Sequence, residues 1–207
     1  MNGTVLVRAP SSRLAEGIVT HIGRTAVDVA LARVQHGAYA EALAASGWMV
    51  QQAPAAEDCP DSVFVEDTVV VCEDLAVLAR PGAAARRAEV AGVAGILRSL
   101  GLRTARIQEP GTLDGGDVLQ AGYTVYVGRG GRTNGEGIRQ LRALLAPLGR
   151  TVIAVPLGGD RVLIAASAPH TAGLLGDLGF TPVVVDISEF EKLEGCVTCL
   201  SVLLPGR

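Results

Sequence analysis

Apolar and polar positions follow two rhythms along this chain. Short runs rich in Val, Ile, Leu and Thr recur at residues 4–8, 68–71, 76–79, 117–120, 124–128, 151–155, 161–165, 182–187 and 196–204. Each has strand length and composition. Between some of them the rhythm changes to that of an amphipathic helix. Over 27–45 the apolar stripe is Val27, Ala30, Leu31, Val34, Ala38, Ala42 and Ala45, with Asp28, Arg33 and Gln35 off it. Glu41 falls near the stripe, so the register shifts around Gly37. Residues 83–100, 134–148 and 168–178 read as further helices. Gly47, Gly101, Gly149 and Gly179 stand just past the helix ends, where a left-handed cap favours a residue without Cβ. Strands outnumber helices by about two to one, in recurring strand–helix–strand–strand clusters. That order predicts an α/β assembly rather than a plain doubly wound sheet. With no literal repeat, low-complexity tract or dividing linker, residues 1–207 are expected to form a single domain.

Composition narrows the function classes. At 49% apolar and 19% charged residues, the chain is neither disordered nor a solvating polymer. Aromatics make up 3%, too few for a platform that stacks single-stranded nucleic acid. The formal charge of −3 gives no basic footprint, so no nucleic-acid partner is expected. Mean hydropathy is +0.36, but the apolar runs fall well short of the roughly 20 residues that cross a bilayer. The opening MNGTVLVRAPSS carries Arg8 without a continuous apolar core, so it does not read as an export signal. Four cysteines without such a signal do not suggest a disulfide framework. A cytoplasmic globule without membrane contact is expected.

Two segments hold the chemistry. In Asp61-Ser-Val-Phe-Val-Glu-Asp67, a strand reading puts Asp61, Val63, Val65 and Asp67 on one face and Ser62, Phe64 and Glu66 on the other. Three carboxylates beside an aromatic ring suit a planar cation, since carboxylates take paired N–H donors and a ring face favours positive charge. An edge strand guarded by solvated acids accounts for the same residues. If Asp61 and Glu66 both meet one ligand, the segment cannot be a regular strand throughout.

The second is Glu191-Lys-Leu-Glu-Gly-Cys-Val-Thr-Cys-Leu-Ser201. Cys196-x-x-Cys199 has the spacing of a redox dithiol or half a zinc site. Val197, Thr198 and Val202 give it a strand-like setting rather than a helix start, and Cys59 and Cys72 are too far apart to supply a second pair. A redox or zinc pair, a buried structural pair and a single nucleophilic thiolate all stay open as readings.

Leu113-Asp-Gly-Gly-Asp117 is a tight turn whose acids can satisfy turn N–H groups. Gly128-Arg-Gly-Gly-Arg-Thr-Asn134 is a glycine-rich entry to a helix without the Lys-Ser/Thr of a phosphate loop. Its arginines suit a carboxylate, though a solvated loop fits as well. His21, His36 and His170 show no metal spacing, so no metal is expected; His36 reads as an ordinary surface or core-edge residue.

Taken together, Asp61–Asp67, 79–87 (ARPGAAARR), 112–118 (TLDGGDV), 127–134 (VGRGGRTN) and 188–202 (SEFEKLEGCVTCLSV) resemble the dimethylarginine dimethylaminohydrolase family of the pentein, or amidinotransferase-like, superfamily. The likeness runs in order from about residue 5 to the C-terminus. Arginine deiminases share the fold but carry other local motifs. The resemblance implies a five-fold α/β propeller of ββαβ units. It also implies hydrolysis of methylated arginine to citrulline through a cysteine S-alkylthiouronium, with no cofactor. By motif position Cys199 is the nucleophile and Asp114 orients a catalytic histidine. Asp61 and Glu66 hold the guanidinium with Asp67 nearby, and Phe64 lines the pocket. Arg86 and Arg132 pair with the substrate carboxylate and its surrounding loop, and Ile18 belongs to a mobile lid. The partner is a small-molecule substrate, with a homodimer as a further expectation.

One departure stands out. The family carries its general acid–base histidine in a His-Leu-Lys-Ser-like segment soon after a strand ending in Val-Pro. Here Val155-Pro156 is followed by Leu157-Gly-Gly-Asp-Arg-Val-Leu-Ile164, and no His-Leu-Lys-Ser occurs. The chain lacks on the order of 50 residues, about one repeat unit by family comparison. His170, near a helix start, is the first residue to consider as a substitute. Loss of a unit should expose strand edges. A non-catalytic binder of arginine derivatives is therefore the rival to a hydrolase.

Overall fold

In the computed structural model, residues 3–20, 22–121, 123–148, 161–177 and 179–204 are described. The elements run β1 (Thr4–Val7), α1 (Val29–Ala45), β2 (Met49–Gln52), β3 (Val69–Cys72), β4 (Leu75–Leu78), α2 (Glu89–Ser99), β5 (Arg103–Arg106), β6 (Val118–Ala121), β7 (Thr124–Val127) and α3 (Gly135–Leu145). They continue with β8 (Arg161–Ala165), α4 (Pro169–Asp177), β9 (Thr181–Val185), α5 (Ser188–Glu191) and β10 (Ser201–Leu204). The chain divides into two compact units, one of residues 1–63 with 155–207, the other of 64–154.

In the first unit β1 is the central strand. It pairs antiparallel with β10 (Thr4 opposite Leu204) and parallel with β2 (Thr4 opposite Met49), with α1 as the crossover. β8 and β9 form a parallel pair bridged by α4. The second unit repeats the first pattern: β3 and β4 form a hairpin, α2 crosses over, and β5 returns parallel to β4. Its other hairpin, β6–β7, leads into α3. The core of this unit packs Val70, Cys72, Leu75, Val77, Ile107 and Leu113 against Leu141 and Leu145 of α3. The strand–helix–strand–strand rhythm is thus a real mixed α/β repeat. Among the described residues the strands form four separate sheets with none closed, so the implied five-fold ring is not confirmed. Among them, too, no helix is long and apolar enough to cross a membrane.

Several elements differ from the sequence expectation. Helix α1 starts two residues inside the predicted 27–45, with the Asp28 carboxylate accepting from the Ala30 and Leu31 amides. It buries another face, however: Ala32, Gln35, His36, Tyr39 and Leu43 point inward, while Leu31 and Val34 are exposed. The predicted stripe was mostly alanine, which gains little by burial. Tyr39 and Leu43 gain more. The buried Gln35 amide is satisfied, donating to Asp186 Oδ2 (2.8 Å) and Ser188 Oγ (2.9 Å). The helix predicted over 83–100 divides into a 3-10 turn, Ala84–Arg86, and α2. Strands β2 and β5 lay outside the predicted runs because both are sheet edges with exposed ends and polar sequences, Met-Val-Gln-Gln and Arg-Thr-Ala-Arg. The strand predicted over 151–155, Gly149 and His21 lie outside the described residues. Gly47, Gly101 and Gly179 all have positive φ, as helix-ending glycines should.

His36 is not a surface residue but is 4% exposed, and its Nε2 has no hydrogen-bond partner among the described residues. Burial pushes its imidazole down to about 4. The unfolded chain, with a histidine near 6.5, therefore binds this proton first. Stability is expected to fall as pH drops from about 6.5 towards 4, by about 3 kcal/mol in all, and to level off below that. Urea melts at stepped pH should show the slope in the native chain and lose this part of it in His36→Gln.

Candidate active site

The expected site residues fall into both units. Ile18, Asp61 and Cys199 belong to the first, and Phe64, Glu66, Asp67, Arg86, Asp114 and Arg132 to the second.

In the first unit Asp61 is buried, and its Oδ1 accepts from the Ile18 amide at 2.9 Å. A Cβ on Gly17 would lie 2.8 Å from that oxygen, so the glycine is what lets the 17–18 backbone reach the carboxylate. The segment after Ile18 is tied to the cysteine region by Glu194. Its carboxylate accepts from the Thr20 amide and hydroxyl and from the Ile22 amide, at 2.9 to 3.1 Å. Glu194 itself holds a left-handed backbone, φ 63°.

The cysteines do not sit on a strand: β10 begins only at Ser201, and 197–200 form a turn. Tyr39 of α1 pins that turn. Its hydroxyl donates to the Val197 carbonyl at 2.8 Å and, having one proton, accepts the Ser201 hydroxyl at 2.7 Å. Sequence reasoning missed Tyr39, whose only signal was an aromatic within an alanine-rich helix. Cys196 Sγ lies 3.3 Å from Cys199 Sγ and 3.0 Å from Thr198 Oγ1. Donation from Cys199, and then from Thr198, holds the Cys196 thiol down at about 5 against its desolvation. His170 stands exposed in the first turn of α4.

In the second unit the strand reading of 61–67 gives way to a 3-10 turn, Val65–Thr68, fixed by Thr68 Oγ1 donating to the Val65 carbonyl at 2.6 Å. Alternation is lost because Asp67 turns inward to Arg86. Arg86 is 3% exposed. It gives one nitrogen to Asp67 Oδ2 at 2.5 Å and two to Glu89, at 3.0 and 2.8 Å. Burial works against its charge, but the Glu89 hydrogen bonds and the charges of both acids outweigh this and hold it above the usual arginine range. As an expected reader of a substrate carboxylate, Arg86 is instead clamped by the chain's own carboxylates. Arg132, with 47% of its side chain exposed, is the more accessible of the two arginines.

Around this clamp the motifs converge. Asp67 Oδ1 accepts from the Gly116 amide at 3.0 Å. A Cβ on Gly115 would sit 2.1 Å from the Glu66 carbonyl, and one on Gly82 2.3 Å from the Arg132 carbonyl. The glycines are therefore contact points between segments. The acids of Leu113–Asp117 serve other segments rather than their own turn: Asp114 Oδ1 accepts from the Gly82 amide at 2.9 Å, and Asp117 Oδ2 accepts from the Thr133 hydroxyl at 2.5 Å. Phe64 is buried and Glu66 half-buried.

Asp114 is 1% exposed, and among the described residues its Oδ2 has no hydrogen bond; Arg132 Nε lies 3.4 Å away. Burial pushes this carboxyl up, the Gly82 amide pulls it back, and Asp67 adds to the rise. Among the described residues no group of three or more potential metal ligands gathers.

No family profile matches the chain. Individual relatives do. The N(G),N(G)-dimethylarginine dimethylaminohydrolase of Streptomyces coelicolor is 51% identical, covering 96% of each chain. That alignment runs over 247 residues, more than the 207 of this chain, so the relative has residues with no counterpart here. Among solved structures, a cysteine-to-serine variant of the Pseudomonas aeruginosa enzyme complexed with citrulline superposes with a TM-score of 0.89 at 28% identity, covering 99% of this chain and all of the other. A histidine-to-glycine variant of a dimethylarginine dimethylaminohydrolase, as an adduct with S-methyl-L-thiocitrulline, gives 0.88 at 29% with the same coverage.

Proposed function

Since this chain belongs to the dimethylarginine dimethylaminohydrolase family of the pentein superfamily and is by that membership a hydrolase of the dimethylarginine type, we propose that it cleaves N-omega-methylated arginine to citrulline and a methylated amine, with Cys199 as nucleophile. The observation that carries this reading is the cysteine turn just before β10, which Tyr39 pins through the Val197 carbonyl and the Ser201 hydroxyl on either side of Cys199. The Cys199 sulfur attacks the guanidinium carbon, the alkylamine leaves with a proton, and an S-alkylthiouronium remains. Water then adds to that carbon and expels the thiolate, leaving citrulline. A bound guanidinium stabilises the thiolate that attacks it.

Asp61 and Glu66 take guanidinium nitrogens, Arg132 takes the α-carboxylate, and Ile18 closes over the substrate. Phe64 lines the pocket, and Asp67 with Arg86 forms the buried clamp behind these roles. Neither step calls on a metal or an organic cofactor, and thiol chemistry of this kind suits the cytoplasm.

A second reading is favoured by Asp114. The role proposed for it is to orient a general acid–base, yet among the described residues its buried Oδ2 has no hydrogen bond. A chain without that base would bind arginine derivatives and turn them over slowly, since general acid–base catalysis contributes about 10²–10⁴-fold.

Citrulline release from asymmetric dimethylarginine by the 207-residue chain tests the proposal. The expected product is lost by more than about 10³-fold in Cys199→Ser. Equal rates in both would overturn it. Binding by titration calorimetry without release would establish the second reading.

A further inference from the structure

Cys196 has no part in the proposed hydrolysis, yet its sulfur lies 3.3 Å from that of Cys199. Cys196 is exposed and Cys199 half-buried, whereas the remaining cysteines, Cys59 and Cys72, are buried. None of the four is bridged. The turn carrying the pair is non-helical and precedes a strand, unlike the helix start that sets up a dithiol oxidoreductase. A zinc site would need further ligands, and among the described residues none gathers. A buried structural pair is incompatible with the exposure of Cys196.

We propose that Cys196 is a peroxide-reactive thiol with Cys199 as its resolving partner, and that peroxide joins the two in a reversible disulfide that withdraws the nucleophile. The withdrawal of activity rests on the reading of Cys199 given above; the bridge itself does not.

The chemistry balances with hydrogen peroxide as oxidant. The Cys196 thiolate attacks one peroxide oxygen, the O–O bond breaks, and hydroxide leaves, giving a sulfenic acid. The Cys199 sulfur then attacks the sulfenic sulfur, forming the S–S bond. The displaced hydroxyl takes up a proton and leaves as water. In sum, two thiols and one peroxide give one disulfide and two waters, with two electrons passing from sulfur to oxygen.

The geometry favours this order. The sulfurs must close from 3.3 Å to about 2.05 Å, over only two intervening residues. The hydrogen bonds from Cys199 and Thr198 keep Cys196 as the thiolate, the form that peroxide oxidises, and it is the more exposed of the two. A neighbouring thiol that captures the sulfenic acid also stops oxidation short of the irreversible sulfinic stage. Tyr39 anchors the backbone between the cysteines, so the pair is held in place as the bridge forms.

The test treats the intact 207-residue chain with hydrogen peroxide, unfolds it, alkylates the remaining thiols and measures intact mass. Two of the four cysteines should escape alkylation, with a mass loss of two hydrogens. Tryptic mapping should place both on the peptide that follows Lys192, and dithiothreitol should restore all four thiols. Cys199→Ser should lose no hydrogens and should instead carry added oxygen on Cys196 that dithiothreitol does not remove, while Cys196→Ser should form no bridge. A wild-type peptide with both thiols still alkylated, or with oxygen added in place of the bridge, would overturn the proposal. Citrulline release is read in parallel. An oxidised chain that keeps the rate of the reduced one would overturn the withdrawal of the nucleophile. A chain that forms the bridge but makes no citrulline in either state counts against the hydrolase reading and leaves the bridge standing.

Discussion

Mixed with S-methyl-L-thiocitrulline, this chain is expected to accumulate a covalent adduct on Cys199. The reason is a difference in leaving group. Dimethylamine must take up a proton as the C–N bond breaks, so a site without a positioned acid expels it slowly. Methanethiol departs as a thiolate and needs little such help. The sulfur of Cys199 therefore adds to the carbon and the C–S bond of the substrate breaks, leaving the thiouronium. The second step, attack of water, again calls for a base, and among the described residues the buried Oδ2 of Asp114 has no hydrogen-bonded partner to orient one. Formation outruns breakdown and the intermediate collects.

Intact mass over time should show stoichiometric modification of the native chain, mapped to Cys199, and none in Cys199→Ser. Added imidazole should speed breakdown and citrulline release if the missing base limits the reaction. Modification of the Cys199→Ser chain would place the nucleophile elsewhere. Rapid turnover with no accumulation would mean that a residue such as the exposed His170 supplies the proton.

How much of this was legible in the sequence depended on where each residue's partners lie. Strands β1 and β4 were read within a residue or so because their own apolar side chains are buried, and β6, β7 and β8 were read as closely from their runs of strand-forming residues. The edges β2 and β5 were not, because a neighbouring strand holds them in place and their own polar residues give no pattern. The stripe on α1 failed for a related reason: counting apolar residues favours alanines, whereas the inward face was chosen by Tyr39, Leu43 and the hydrogen-bonded Gln35. The motif residues were legible only through their resemblance to a family. Spacing alone made Asp61–Asp67 a strand. The turn it forms depends on Arg86 and Gly116, which lie 19 and 49 residues from Asp67. The inward turn of Arg86 could not be read from ARPGAAARR, where Arg86 and Arg87 stand side by side.

That inward turn sets the largest stability effect expected from a single substitution. Arg86→Met should destabilise the protein by about 3–5 kcal/mol, because Asp67 and Glu89 then remain buried without their cation. For a chain of this size the midpoint of thermal unfolding should fall by on the order of 10 °C. Arg86→Lys should recover little, since a single ammonium cannot reproduce the paired bonds to Glu89 together with the bond to Asp67. The loss is one of uncompensated charge rather than of a favourable contact, and this makes it separable. Adding Glu89→Gln to Arg86→Met removes one stranded carboxylate, so the double variant should be less destabilised than the two single losses added together, by more than about 1 kcal/mol. Urea melts of the four proteins in the cycle measure that coupling directly, and strict additivity would mean the three side chains do not act as a unit. The consequence reaches the site because Asp67 also holds the Gly116 amide, next to Asp114. If the clamp positions this turn, Arg86→Met should weaken the binding of methylated arginine even at temperatures where the variant remains fully folded.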